Sequence, residues 1–212
     1  MSRRVSIVGN GSFSHRDAAI IDRCDLVVRF NDCRSLGEGG WRTDVVAICN
    51  TGRPAASMIR TLSWREHPAV ASASEFWCVR DVLKFAELKP NLDPELDDFC
   101  DDYTAEFAMF AAKKNKTLRV IPRHHHDRID DELRSMSPDK YIVPSSGMMA
   151  IAYLLGHASS SGDEMILAGF DHTGWEGHPF AAERMLVDRY VAEGLVQRIE
   201  TLHPKMSNET AS

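Results

Sequence analysis

Short apolar runs rich in β-branched residues alternate along the chain with stretches whose apolar positions recur every three or four residues. The first pattern predicts buried strands and the second amphipathic helices. Strands are expected at Val5–Val8, Asp25–Phe30 (DLVVRF), Asp44–Cys49 (DVVAIC), Glu75–Val79 (EFWCV), Thr117–Pro122 (TLRVIP) and Glu164–Ala168 (EMILA). A further strand is expected to end at Pro144, and a last short one to lie at Arg198–Leu202. Helices are expected over roughly His15–Arg23, Pro54–Trp64, Tyr103–Lys113, Gly147–His157 and Pro179–Glu193. Strand and helix alternating in this way predict an α/β fold, a Rossmann-like three-layer sandwich with a mostly parallel sheet. Residues 1–204 are expected to form one domain, and 205–212 a flexible tail. Ligands of such sheets sit outside the carboxyl ends of the strands. That rule directs attention to the loops at 9–14, 30–43, 49–53, 122–126, 144–147 and 169–178.

Composition narrows the function classes. The chain has 212 residues, 43% of them hydrophobic and 26% charged, with a net charge of −6. That balance suits a globular protein with a real core and argues against bulk nucleic-acid binding, which needs a basic face. The five cysteines are scattered, with no CxxC pair, so neither a zinc knuckle nor a disulfide framework is indicated. Met1–Arg4 and VSIV are too short for a signal peptide, and no apolar run approaches the ~20 residues of a membrane span. A cytoplasmic location is expected. The acidic, proline-broken stretch at 90–102 reads as a solvated loop or helix start.

Three loops carry candidate chemistry. GNGSFS, residues 9–14, follows the first strand and misses the dinucleotide fingerprint at its last position, Ser14. It reads either as a phosphate cradle or as a tight turn that needs glycine. PSSG, 144–147, stands before a helix, where unpaired amides and the helix dipole bind anions; Ser145 or Ser146 can cap that helix or donate to a ligand. GFDHTGWEGHPFAAE, 169–183, holds His172 and His178 where the ligand rule points, and a histidine there can take a proton near neutral pH. Glu183, five residues beyond His178, could orient the histidine or the start of the helix.

Taken together, these pieces resemble the sialyltransferase family of CMP-sugar-dependent glycosyltransferases. VSIVGNGSFS…IIDRCDLVVRFN, continued by RTD at 42–44, resembles the family's long motif. VPSSGMMAI…EMILAGF resembles its short motif, and HPFAAE its very short one. The blocks cover about half the chain, in the family's order. The resemblance implies a variant of the GT-A fold and an inverting, metal-independent transfer of a sialic-acid-like or Kdo-like sugar from a CMP-sugar donor to a glycan or small acceptor. By position it implies nucleotide contacts from Gly9, Asn10, Gly11, Ser12, Asn31, Ser145, Ser146, Gly147, Phe170 and His172. It makes His178 the general base, with Glu183 beside it in a structural role. No cofactor or metal is expected, since Asp-x-Asp is absent and a monophosphate leaving group needs less neutralisation. The animal enzymes' membrane anchor and inter-motif disulfide are not indicated, and compact bacterial relatives also resemble proteins labelled urease-operon accessory proteins.

Alternatives stay open. A nickel-handling urease accessory protein is suggested by RHHHDR, 123–128, although consecutive histidines point apart on a regular element. A basic loop at the end of a strand is the plainer reading of that run. An NADP-dependent reductase is suggested by GNGSFS with Arg29, which could meet a 2′-phosphate. A nucleotide-binding module without catalysis is the third alternative.

Overall fold

The computed structural model describes residues 2–136 and 140–202. The tail expected from residue 205 lies outside them. Seven strands form one sheet: β1 (Arg4–Val8), β2 (Leu26–Phe30), β3 (Val45–Ile48), β4 (Glu75–Cys78), β5 (Thr117–Val120), β6 (Glu164–Ala168) and β7 (Gln197–Arg198). Their order is β5-β4-β3-β2-β1-β6-β7. Every pairing is parallel, with Val5 opposite both Leu26 of β2 and Met165 of β6. Parallel strands need crossovers. All but the β2–β3 connection contain helices. These are α1 (Asp17–Ile21), α2 (Gly52–Arg60), α3 (Leu62–Arg65), α4 (Pro68–Ser72), α5 (Val82–Leu88), α6 (Thr104–Lys113), α7 (Arg123–Met136), α8 (Ser146–Ser161) and α9 (Phe180–Ala192).

Period-two alternation divides the strand residues between two faces. Val5, Ile7, Val28, Phe30, Val45, Ala47, Met165 and Leu167 pack against α7, α8 and α9. Val46, Ile48 and Phe76 face α2, α3, α4 and α6 on the other side, and Val8, Val27, Ile166 and Ala168 face α1. The expected Rossmann-like three-layer sandwich is therefore present. Its sheet order and strand directions do not single out the GT-A type.

Three expectations are corrected. The segment before Pro144 is not a strand of the sheet; the amides of Ile142 and Val143 donate to the Gly177 carbonyl at 2.9 and 3.3 Å. The last strand covers only Gln197–Arg198, and Ile199–Leu202 turns into a 3-10 helix. RHHHDR is not a loop. It opens α7, whose 14 residues bury His125, His126, Ile129 and Leu133 along one side. A charged, histidine-rich run hides its helical period because two of the buried positions are imidazoles.

Candidate ligand cleft

β1 lies between β2 and β6, and the chain leaves the sheet toward opposite faces from these neighbours. That topological switch opens a crevice at the carboxyl ends of the strands. A cavity of about 630 Å³ occupies it, and Gly9, Asn10, Gly11, Asn31, Ser145, Ser146, Gly147, Phe170, His172, His178 and Glu183 all line it. Ser12 does not line the cavity. Of the six loops the ligand rule indicated, four thus converge, while 122–126 belongs to a different cavity.

The first loop is a packed turn. The amides of Gly9 and Gly11 donate to the carbonyls of Ala168 and Gly169 at 2.8 and 2.9 Å, and the Ser12 amide to Asp171 Oδ2 at 3.2 Å. A Cβ on Gly9 would stand 2.2 Å from the Gly169 oxygen, so glycine is required by close approach of two backbones. With these three amides already bonded, they do not cradle a phosphate. Asn10 is different: its Oδ1 is buried with no hydrogen-bond partner. Asn31 adopts the left-handed conformation that Asn tolerates, with φ at 50°. Its Oδ1 accepts from the Cys49 amide at 2.8 Å and its carbonyl from Trp64 Nε1 at 2.8 Å. It therefore ties the ends of β2 and β3 while lining the cleft.

The second turn keeps donors free. Ser145 caps α8, its Oγ accepting from the Met148 amide at 3.1 Å. Its own amide and hydroxyl donate to the two carboxylate oxygens of Glu183 at 2.6 and 2.7 Å. Glu183 is 2% exposed, and burial pushes its pKa up against the pull of those two bonds. The carboxylate thus holds the start of α8 and bonds Ser145, not His178. The amides of Ser146 and Gly147 have no acceptor among the described residues, and they sit at the positive end of a 16-residue helix.

Histidines and aromatic rings complete the walls. His178 meets the Val143 carbonyl through Nδ1 at 2.9 Å, and burial pushes its pKa down to about 4. His172 is brought to about 4 by burial and by Arg198 and Arg184, and its Nε2 is buried without a partner. Both imidazoles are neutral near pH 7. Phe170 stands edge-on to Phe30 at 6.0 Å, and Trp175 edge-on to His178 at 5.0 Å. Among the described residues the lining carries one guanidinium, Arg34, which is 3.0 Å from Asp32. The cleft suits a flat ring and a singly phosphorylated group better than a pyrophosphate, which would call for more cationic charge.

Arg29 is corrected. Its guanidinium is fully buried and donates to Thr43 Oγ1, Ser35 Oγ and the carbonyls of Gly39, Gly40 and Arg42, at 2.7 to 3.1 Å. It staples the 33–43 loop and is buried away from the cleft, out of reach of a 2′-phosphate, which removes the basis of the reductase reading. Sequence reasoning missed Arg80, which follows β4 and is 2% exposed. Its Nη1 donates to the Pro144 carbonyl at 2.8 Å, and its amide donates to Asn50 Oδ1 at 2.8 Å. It supports the second turn from beneath. The one signal was an arginine directly after the apolar run EFWCV, at a strand's carboxyl end.

The histidine run splits apart on α7. His124 is exposed, His125 packs on Tyr153 at 5.3 Å and His126 on Phe85 at 6.5 Å. Among the described residues no group of three His, Cys, Asp or Glu side chains could hold a metal ion. No helix among them is long and apolar enough to cross a membrane.

Fold and cleft define a doubly wound α/β protein with an open crevice at its switch point. No family model matches the chain. The chain is 48% identical, over 210 residues, to the urease operon 23 kDa accessory protein of Rhizobium meliloti, covering 98% of this chain and 96% of that one. It belongs to the family of that accessory protein. This relationship overturns the expectation of a sialyltransferase-like enzyme, and with it the CMP-sugar donor and the glycan acceptor.

Proposed function

We propose that the chain is a urease-operon accessory protein that binds a nucleoside monophosphate, or a ligand of that chemistry, in the switch-point cleft without turning it over. The observation that carries this reading is the pair of unbonded amides, Ser146 and Gly147, at the start of α8. They stand in a cleft walled by Phe30, Phe170 and Trp175. A helix start of this kind takes a phosphate oxygen without lysine. The rings take a flat base, and Asn10 Oδ1 and His172 Nε2 offer polar atoms that want partners. The accessory role is supported by the name of the 48%-identical relative. The five unpaired thiols support a reducing, cytoplasmic setting. Nickel carriage finds less support, because the imidazoles of α7 diverge.

Calorimetric titration of the full chain with CMP, AMP, NADP⁺ and NiCl₂ tests the reading. A monophosphate is expected to bind saturably without metal and to remain intact by ³¹P NMR. Asn10→Ala is expected to weaken it about fivefold. Silence toward both monophosphates, or turnover of either, overturns the proposal. Binding of Ni²⁺ alone would transfer the function to metal handling.

A further inference from the structure

A second cavity, of about 720 Å³, lies between α5, α7 and the extended segment Lys140–Pro144. The function proposed for the cleft makes no use of it. Its back is apolar, formed by Phe85, Leu88, Ile142, Val143 and Pro144. Phe85 is fixed there, with the Arg80 guanidinium 5.0 Å from its centroid and Phe99 stacked at 5.7 Å.

Most of the charges around that apolar back cancel in pairs. Lys84 Nζ is 2.6 Å from both Asp127 Oδ1 and Asp130 Oδ2, and the Tyr141 hydroxyl donates to Asp130 Oδ1 at 2.8 Å. Arg123 grips both oxygens of Glu87 at 2.7 and 2.9 Å. Two features stand apart from these close pairs. Four cationic side chains line the cavity against three carboxylates. Arg134, at the rim, is loosely engaged, 3.8 Å from Asp130 and 3.7 Å from Asp131. Among the lining residues, His126 is 2% exposed and its Nε2 has no hydrogen-bond partner. Burial, with Arg80 and Lys84 nearby, pushes its pKa down to about 3, so the ring is neutral. A buried ring nitrogen without a partner is costly, and a ligand atom can supply one.

His126 and Arg134 are eight residues apart on one helix, about 12 Å along its axis. An arginine side chain leaning inward shortens that span. The two groups therefore fix a ligand's length as well as its ends. We infer that this cavity is a second ligand site, for a small aromatic monocarboxylate. Its carboxylate meets Arg134, its ring lies on Phe85 and the 142–144 segment, and a hydroxyl at its far end meets His126.

The same segment also borders the cleft. Val143 gives its carbonyl to His178, Pro144 gives its carbonyl to Arg80, and Ser145 follows. The second cavity is nonetheless testable without any nucleotide, so its failure and that of the cleft are separable.

The test is calorimetric titration of the full chain with 3-(4-hydroxyphenyl)propionate, its amide, and 3-phenylpropionate. The hydroxylated acid is expected to bind saturably. Loss of the hydroxyl or of the charge is each expected to weaken binding about fivefold. In Arg134→Gln, acid and amide become equal. In His126→Phe, the hydroxylated and plain acids become equal, and this non-additivity places the hydroxyl at His126. Gly147→Ala, altered only in the cleft, keeps the affinity. No saturable binding overturns the inference, as does an acid-over-amide preference that survives in Arg134→Gln. Should His126→Phe fail to fold, the ligand pair on the wild-type chain and Arg134→Gln still decide the matter.

Discussion

Two glycine- and serine-bearing turns, 9–12 and 145–147, stand at the rim of one cleft and have opposite uses. In the first, the amides of Gly9, Gly11 and Ser12 are bonded to residues 168–171. In the second, Glu183 takes the Ser145 amide and leaves those of Ser146 and Gly147 without an acceptor among the described residues. The first turn locks β1 to the loop after β6, and the second presents a helix dipole. What separates them is the neighbour. Backbone carbonyls and the Asp171 carboxylate take three amides of the first turn, whereas in the second a single buried carboxylate takes only the first amide and fixes the helix behind it.

The largest expected effect comes from acid. His126, His178, His172 and His125 have pKa values pushed down to about 3, 4, 4 and 4. Unfolded, each titrates near 6.5 and binds more protons than the folded chain does below that pH. Stability is therefore full above about pH 6.5 and is lost as pH falls toward 4. Urea unfolding is expected to show a loss of about 2 kcal/mol for each of these histidines between pH 7 and pH 5. The second turn should loosen first, because His178 and Arg80 hold it through Val143 and Pro144. Hydrogen exchange at Ile142, Val143 and Met148 should accelerate at higher pH than exchange at Gly9 and Gly11. Simultaneous acceleration would erase the distinction.

Next in size is Gly9→Ala. Its Cβ would meet the Gly169 oxygen at 2.2 Å, so two backbones must part. A destabilisation of about 2 kcal/mol is expected by urea titration. An unchanged midpoint would mean that the first turn is not locked.

The smallest effect on stability is expected from Gly147→Ala. Alanine favours the helix, and the atom it meets is the Phe170 ring edge at 2.7 Å, which can move. The midpoint should stay within about 1 kcal/mol, while the displaced ring enters the cleft and monophosphate affinity falls about tenfold. A stability loss equal to that of Gly9→Ala would make the two turns alike.

Much of this fold is legible in single elements. DLVVRF, DVVAIC and EMILA are buried on both faces, as parallel strands must be, and their near-continuous apolar runs say so. The 144–147 turn is equally legible, since serine before a helical apolar run is a cap signal that Ser145 fulfils. Other parts were hidden by chemistry. RHHHDR reads as a polar loop because imidazoles look polar, yet His125 and His126 are core residues of α7. YIVP reads as a strand because its residues favour one, but its amides bond Gly177 outside the sheet. Arg29 reads as a cation for a 2′-phosphate and is buried under loop carbonyls, while Arg80, which sequence reasoning passed over, is buried against the Pro144 carbonyl.

Sequence by itself determined the alternation of strand and helix, the class of fold and the set of loops at one end of the sheet. Those follow from periods of two and of three to four residues, which are properties of neighbours along the chain. Only the tertiary structure decided which of those loops meet, which amides remain unbonded and which histidines lose their affinity for protons. These depend on groups far apart in the chain, such as Glu183 with Ser145, Val143 with His178 and Asp171 with Ser12. Hydrogen-bond donors are consumed locally but by partners that folding alone brings near, so a motif can keep its letters and lose its ligand.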